Sequence, residues 1–195
     1  MGVPRLYPWL TETFRDIVRM LKITDPSTVK MDNLYIDSQS IIHACCQLVF
    51  NYGQKARLMN AYSSLSYEQK VAKAYELFFD QIKNIVKMVR PTDTLYISND
   101  GPAPLAKQAQ QRQRRSISSK EKKGDFDSNS LTPGTLFMFG LTKYINYSIR
   151  KEMQSNPIWK NIKVIFSGCN DPGEGEHKLC EHIRSLSEKD RETKS

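Results

Sequence analysis

Two short apolar runs in this chain lead straight to an aspartate. Asn33 to Asp37 reads NLYID, and Thr94 to Ser98 reads TLYIS with Asp100 two residues on. A third run, ending at Phe166, passes through a Gly- and Asp-rich turn to Glu174 and Glu176. Carboxylates gathered at one place repel one another and are costly to desolvate, so such a group is normally neutralised by a hard cation. An all-oxygen donor set suits Mg2+ or Mn2+, and the chemistry such a site supports is phosphodiester hydrolysis. One aspartate after one strand is ordinarily a turn or capping residue; acids at three consecutive strand ends are not accounted for that way. Asp37, Asp100, Glu174 and Glu176 are therefore the candidate catalytic and metal-binding residues. Asp171, Pro172 and Glu174 also fit the N-cap, N1 and N3 positions of a capping box. Glu174 and Glu176, two apart, do not share a helix face, so either the turn is irregular or one of them stands behind the other.

A second group is basic. Lys107, Gln111, Arg114 and Arg115 are spaced i, i+4, i+7 and i+8, which puts them on one face of a helix. Such a face can clamp a terminal phosphate, with the arginines bidentate. Lys120, Lys122 and Lys123 read as solvated surface charge. His43 follows Asp37 by nearly two helical turns and can face the same mouth, although a lone histidine is more often a satisfied core group.

The elements that must position these residues follow from periodicity. Residues 4–22 carry a helical apolar stripe (Leu6, Trp9, Leu10, Phe14, Ile17, Val18, Leu21) that predicts packing against a neighbour. NLYID is a strand and Ser38 to Phe50 an apolar helix. From Tyr67 to Arg90 apolar residues step by three and four, an amphipathic helix ended by Pro91. TLYIS is the second strand. A helix from Pro104 runs through the basic group and dissolves into a polar loop, 116–130, expected to be mobile. Thr132-Pro133-Gly134 opens a long helix with Phe137, Leu141, Tyr144, Ile145 and Ile149 on one face, and Ile162 to Phe166 is the third strand. Strands separated by helices imply crossovers and a mainly parallel sheet with helices on both faces, an α/β fold whose sites form at the carboxyl ends of the strands. The expected organisation is one domain over 1–188 with a frayed charged tail, 189–195.

Composition narrows the partner. The 195 residues carry a formal net charge of +8 and a pI near 9.3, which points to a polyanion. Between Pro104 and Lys123 seven basic residues face one acid. No apolar run is long enough to span a membrane, no secretory leader is visible, and Leu6 spoils a myristoylation signal. Cys45, Cys46, Cys169 and Cys180 lack metal-site spacing and read as reduced core thiols, which suits a cytoplasmic or nuclear compartment.

Five stretches in order, MGVPRLYPWL, DNLYIDSQSIIH, NDGPAPLAKQAQQRQRR, NSLTPGTLFM and DPGEGEHKLCEHIR, resemble the N-terminal part of the Xrn 5′→3′ exoribonucleases. The resemblance covers Met1 to about Arg184. It implies a Rossmann-like, PIN/FEN-type nuclease architecture and Mg2+-dependent hydrolysis of single-stranded RNA from a 5′ monophosphate, in RNA decay or processing. By motif it implies metal-site acids at Asp37, Asp100, Glu174 and Glu176, a 5′-phosphate pocket of Lys107, Gln111, Arg114 and Arg115, and a base-stacking role for His43.

Three departures qualify it. Ser38-Gln39-Ser40 stands where the family reads Met-Asn-Gly, which is expected to distort the turn beside Asp37. Leu105 replaces a basic residue. The family's conserved region continues to a further strand ending in an aspartate pair, and this chain stops first; Asp190 and Glu192 are no substitute. The fold is thus expected to be incomplete at its C-terminal end, and the remainder of the nuclease region is an expected partner. The alternatives are a catalytically inactive RNA or 5′-phosphate binding module and, more weakly, a related DNA nuclease.

Overall fold

In the computed structural model three five-residue strands, β1 (Asn33–Asp37), β2 (Thr94–Ser98) and β3 (Lys163–Ser167), form one parallel sheet in the order β1-β2-β3. Residues 5–18, 31–53, 61–120 and 126–186 are described. The strands pair without offset, Asp37 opposite Ser98 and Ser98 opposite Ser167, so all three carboxyl ends reach the same edge. Every residue of β2 is buried, as a central parallel strand covered on both faces must be.

Alternation along the strands divides the faces. Leu34, Ile36, Leu95, Ile97, Val164 and Phe166 join the main core with helices α2 (Gln39–Val49), α3 (Tyr67–Val89) and α5 (Leu136–Ser155). Tyr35 and Tyr96 point the other way, to His182 on α7 (Gly175–Ser185), with ring centroids 5.0–6.1 Å apart. The predicted α/β sheet with helices on both faces is what forms.

α3 starts on a capping box, Ser66 with Gln69, and stops where Arg90 turns left-handed at φ 51° before Pro91. α4 (Leu105–Lys120) carries the basic residues, and α6 (Pro157–Lys160) is a single turn that buries Trp159.

Several boundaries differ from expectation. The segment 116–130 was expected as one loop, but residues 116–120 continue α4 and Ser128–Leu131 form a 3-10 turn. Phe126 is buried there, stacked 4.2 Å from Phe50. The Thr132-Pro133-Gly134 turn, with Gly134 at φ 89°, precedes α5, whose cap is Thr135.

The chain divides into two compact units, residues 1–30 and 31–195. In the first, α1 (Leu6–Thr13) ends because Phe14 leaves helical backbone (φ −122°, ψ 80°), and a 3-10 turn follows at Arg15–Ile17. Trp9, Phe14 and Val18 of the predicted packing stripe are exposed, and Leu21 lies outside the described residues. The tail 189–195 and the motif's Gly2 to Pro4 also lie outside them.

Candidate active site

The acids meet at the carboxyl edge of the sheet. Asp37 ends β1; its Oδ1 accepts from the Gln39 amide at 3.3 Å. Asp100 follows β2, and its Oδ1 accepts from the Gly175 amide at 2.9 Å, which fastens the start of α7 to the end of β2. Glu176, in the first turn of α7, brings its carboxyl beside that of Asp37, where the two can share a hydrogen bond only if one is protonated. Burial is the chief reason the Asp37 pKa is raised, and the charges of Asp100 and Glu176 add to it against the opposing Gln39 bond. Two of the other three predicted acids, Asp100 and Glu176, thus lie within electrostatic reach of Asp37. Gly175 makes this approach possible: a Cβ there would sit 2.5 Å from Asp37 Oδ1.

Glu174 is held differently. It is the N-cap residue of α7, buried, and ion-paired with Lys107 of α4, with His177 Nδ1 3.6 Å away. The two glutamates point apart, as their spacing requires. The capping-box reading of Asp171 is corrected here. Asp171 Oδ2 instead accepts from Ser167 Oγ and the Gly168 amide, both at 3.0 Å, closing a turn straight after β3. α7 therefore begins four residues later and has no side-chain cap. Between them, Gly101 and Gly173 exchange backbone bonds with one another's segments (Gly101 N–H to Gly173 O 2.8 Å, Gly173 N–H to Pro102 O 3.0 Å). A side chain at Gly101 would overlap the Asp171 carbonyl oxygen.

Two supports were not anticipated. Lys178 is buried and donates from Nζ to the carbonyls of Asn99 and Gly168, each at 2.9 Å, clamping the ends of β2 and β3 together. Burial lowers its pKa, and Asp171 and Asp100 work against that shift. Its sequence signal was slight: it lies one turn beyond Glu174 on the same helix face. Ser38, fully buried, donates its hydroxyl to Ser98 O at 2.6 Å and touches the Asn99 side-chain amide. A hydroxyl has one proton, and this one is aimed at Ser98. With the Asn99 oxygen towards Ser38, Nδ2 is buried without a partner; the orientation that satisfies both groups turns the NH2 to Ser38 Oγ. Gln39 reaches across to Leu131 O at 3.1 Å. Ser38 and Gln39 therefore brace the turn beside Asp37, where distortion was expected.

The other predicted residues divide. His43 is half-buried on α2; burial lowers its pKa and the charge of Asp100 opposes that shift. Gln111 lines a cleft of about 420 Å3 with Gln108, Arg112, Thr132, Pro133 and Asn170. Lys107 is engaged by Glu174. The side chains of Arg114 and Arg115 lie outside the described residues. Among the cysteines, Cys180 is exposed and not a core thiol, because it lies on the outer side of α7; all four are free.

Among the described residues no group of three or more His, Cys, Asp or Glu side chains is placed to hold a metal ion. The carboxylates at this edge offer oxygen donors alone, the kind Mg2+ or Mn2+ takes, and Mg2+ usually takes one or two carboxylates and keeps several waters. No helix of the described residues is long and apolar enough to cross a membrane.

Comparison with known proteins agrees with this geometry. A family model described as XRN 5′-3′ exonuclease N-terminus matches residues 1–195. The chain is 33% identical over 200 residues to 5′-3′ exoribonuclease 1 of Schizosaccharomyces pombe, covering 95% of this chain and 14% of that protein. It is 34% identical over 229 residues to the 5′-3′ exoribonuclease 2 homolog of Drosophila melanogaster (94% and 24%). It is 31% identical over 201 residues to human 5′-3′ exoribonuclease 1 (95% and 11%). The chain spans a quarter or less of the length of these relatives.

Proposed function

Because the chain belongs to the XRN 5′-3′ exonuclease N-terminus family, we propose that it carries the acid edge and phosphate pocket of a 5′→3′ exoribonuclease. In this reading it acts on single-stranded RNA bearing a 5′ monophosphate and releases mononucleotides. The observation that carries it is the convergence of Asp37, Asp100 and Glu176, with Glu174 tied to the basic helix through Lys107.

Asp37, Asp100 and Glu176 would hold Mg2+ or Mn2+. When bound, such a cation supplies an activated water and charge neutralisation at the phosphate. The chain's own residues do the remaining work. Gln111, Arg114 and Arg115 hold the terminal phosphate, and Lys107 joins them on leaving Glu174. His43, beside Asp100, stacks on the first base. Lys178 and Ser38 keep the strand ends at fixed spacing, so that the acids do not spread under their mutual repulsion. Three free thiols inside the core suit a reducing compartment, cytoplasmic or nuclear.

One observation favours a second reading, a 5′-phosphate binding module without catalysis: among the described residues no group of three or more acids, histidines or cysteines is placed to hold a metal ion. The remainder of a nuclease region, supplying further acids, would distinguish the two. The test is incubation of the chain with 5′-phosphorylated and 5′-hydroxyl single-stranded RNA, each with Mg2+ and with EDTA. Mg2+-dependent loss of the phosphorylated RNA alone supports the nuclease. Phosphate-selective binding without loss supports the module, and equal binding of both RNAs defeats the pocket assignment.

A further inference from the structure

α5 has a second face that the core does not use. Leu136, Phe139, Lys143, Tyr147 and Arg150 step by three and four residues, so they form one stripe, and all five are exposed. Leu136 is 89% exposed, Tyr147 66% and Phe139 46%, values that set the stripe apart from an ordinary solvated helix face. Lys143 Nζ lies 4.4 Å from the centre of the Phe139 ring, a cation stacked on an aromatic. The helix has a single acid, Glu152, and it points elsewhere, 4.0 Å from Lys83 and bonded to Asn156. Cations interleaved with exposed rings, and no acid among them, are what a single-stranded polyanion with flat bases requires. Protein-docking faces also use Tyr, Phe and Arg but are depleted in Lys, whereas here Lys143 sits in the middle of the stripe, stacked on Phe139.

Position adds to composition. Thr132, Pro133 and Gly134, just before α5, line the cleft that holds Gln111. The stripe thus starts at the cleft and leads away from it for about 21 Å, at 1.5 Å per residue.

We infer that this face of α5 is a track for single-stranded RNA, on which Phe139 and Tyr147 stack bases and Lys143 and Arg150 meet phosphates downstream of the 5′ end. The inference rests on the RNA reading above and extends it to a second contact surface.

The test is equilibrium binding in EDTA of 5′-phosphorylated RNAs of about four and about twelve nucleotides, a range spanned by single-strand sites. The chain, its F139A/Y147A variant and its K143Q/R150Q variant are compared across salt concentrations. The long RNA is expected to bind tighter than the short. F139A/Y147A should weaken the long RNA about tenfold or more, the scale of lost base stacking, and leave the short one unchanged, which also shows that the variant is folded. K143Q/R150Q should reduce the salt slope for the long RNA by about one. Wild-type affinity of both variants for the long RNA would overturn the track and leave the face to a protein partner. A parallel series with 5′-hydroxyl RNA separates the two ideas: loss of 5′ selectivity with the length-dependent defect intact counts against the phosphate pocket and not against the track.

Discussion

Lys107 of α4 and Glu174 at the N-cap of α7 form an ion pair in which the carboxylate is buried and the ammonium is about one-quarter exposed. The two partners are therefore unequal. Lys107→Met leaves the buried carboxylate with the exposed His177 ring, 3.6 Å away, as its remaining neighbour, and is expected to cost about 2–3 kcal/mol. Glu174→Gln leaves a lysine that can reach water, and should cost about 1 kcal/mol. Urea unfolding of both variants checks this, with the midpoint moving and the slope unchanged.

Gly175 and Gly101 give a paired prediction. Gly175→Ala pushes on a single side chain, the Asp37 carboxylate, which can turn aside, so the fold should survive within about 1 kcal/mol while any metal binding and RNA hydrolysis fall at least about tenfold. Gly101→Ala pushes on the backbone of Asp171, which cannot yield alone, and should destabilise by about 2–4 kcal/mol. Thermal unfolding alongside Mn2+ titration separates the two effects.

If Asp37, Asp100 and Glu176 bind a cation, the folded state gains stability that the unfolded chain does not. Saturating Mg2+ or Mn2+ should stabilise the chain by about 2–3 kcal/mol at a hundredfold excess over Kd. Asp37→Asn should abolish that gain, and it should make the metal-free protein slightly more stable by removing a like charge. Calorimetry with and without EDTA measures both, and a variant that responds to metal as the parent does would contradict the assignment.

His182 provides a pH test away from the site. It lies against Tyr35 and Tyr96, with Nδ1 3.3 Å from the Tyr35 hydroxyl. Burial, and then the charge of Lys163, hold its pKa below the ordinary value of 6.5. Below about 6.5 the unfolded chain therefore takes up a proton that the folded chain resists, so stability falls as pH falls. His182→Gln should flatten this part of the Tm-against-pH curve.

Much of the frame was legible because strong local signals agreed with the fold. NLYID and TLYIS are short apolar runs bounded by turn residues, and both strands have the predicted limits; β3 is one residue later than read. The start of α7 was misplaced because Asp-Pro-x-Glu carries a capping pattern, while in the folded chain Ser167 and Gly168 claim the aspartate. Lys178 was invisible as a clamp, since its partners are carbonyls from two other strand ends and no local pattern announces them. Phe126 was lost in a polar segment because its burial depends on Phe50 and Phe137, distant in sequence. For the acids, sequence supplied the placement at strand ends, but the division of Glu174 from Glu176 between two sets of partners needed α4 in three dimensions.

The tip of β2 is where the bonds of the acid edge converge: Ser38 reaches Ser98, Lys178 reaches Asn99, and Asp100 holds Gly175. Each of these partners arrives from a segment separated from β2 by at least one crossover. Parallel pairing between such distant segments is slow to form. A chain caught with β1 and β2 zipped but β3 still loose would already possess Asp37 and Asp100, yet no clamp and no Glu176. If β1 and β2 pair first, the acid edge is completed only when β3 and α7 dock, and a refolding chain is expected to recover its sheet signal before any response to added Mg2+ or Mn2+.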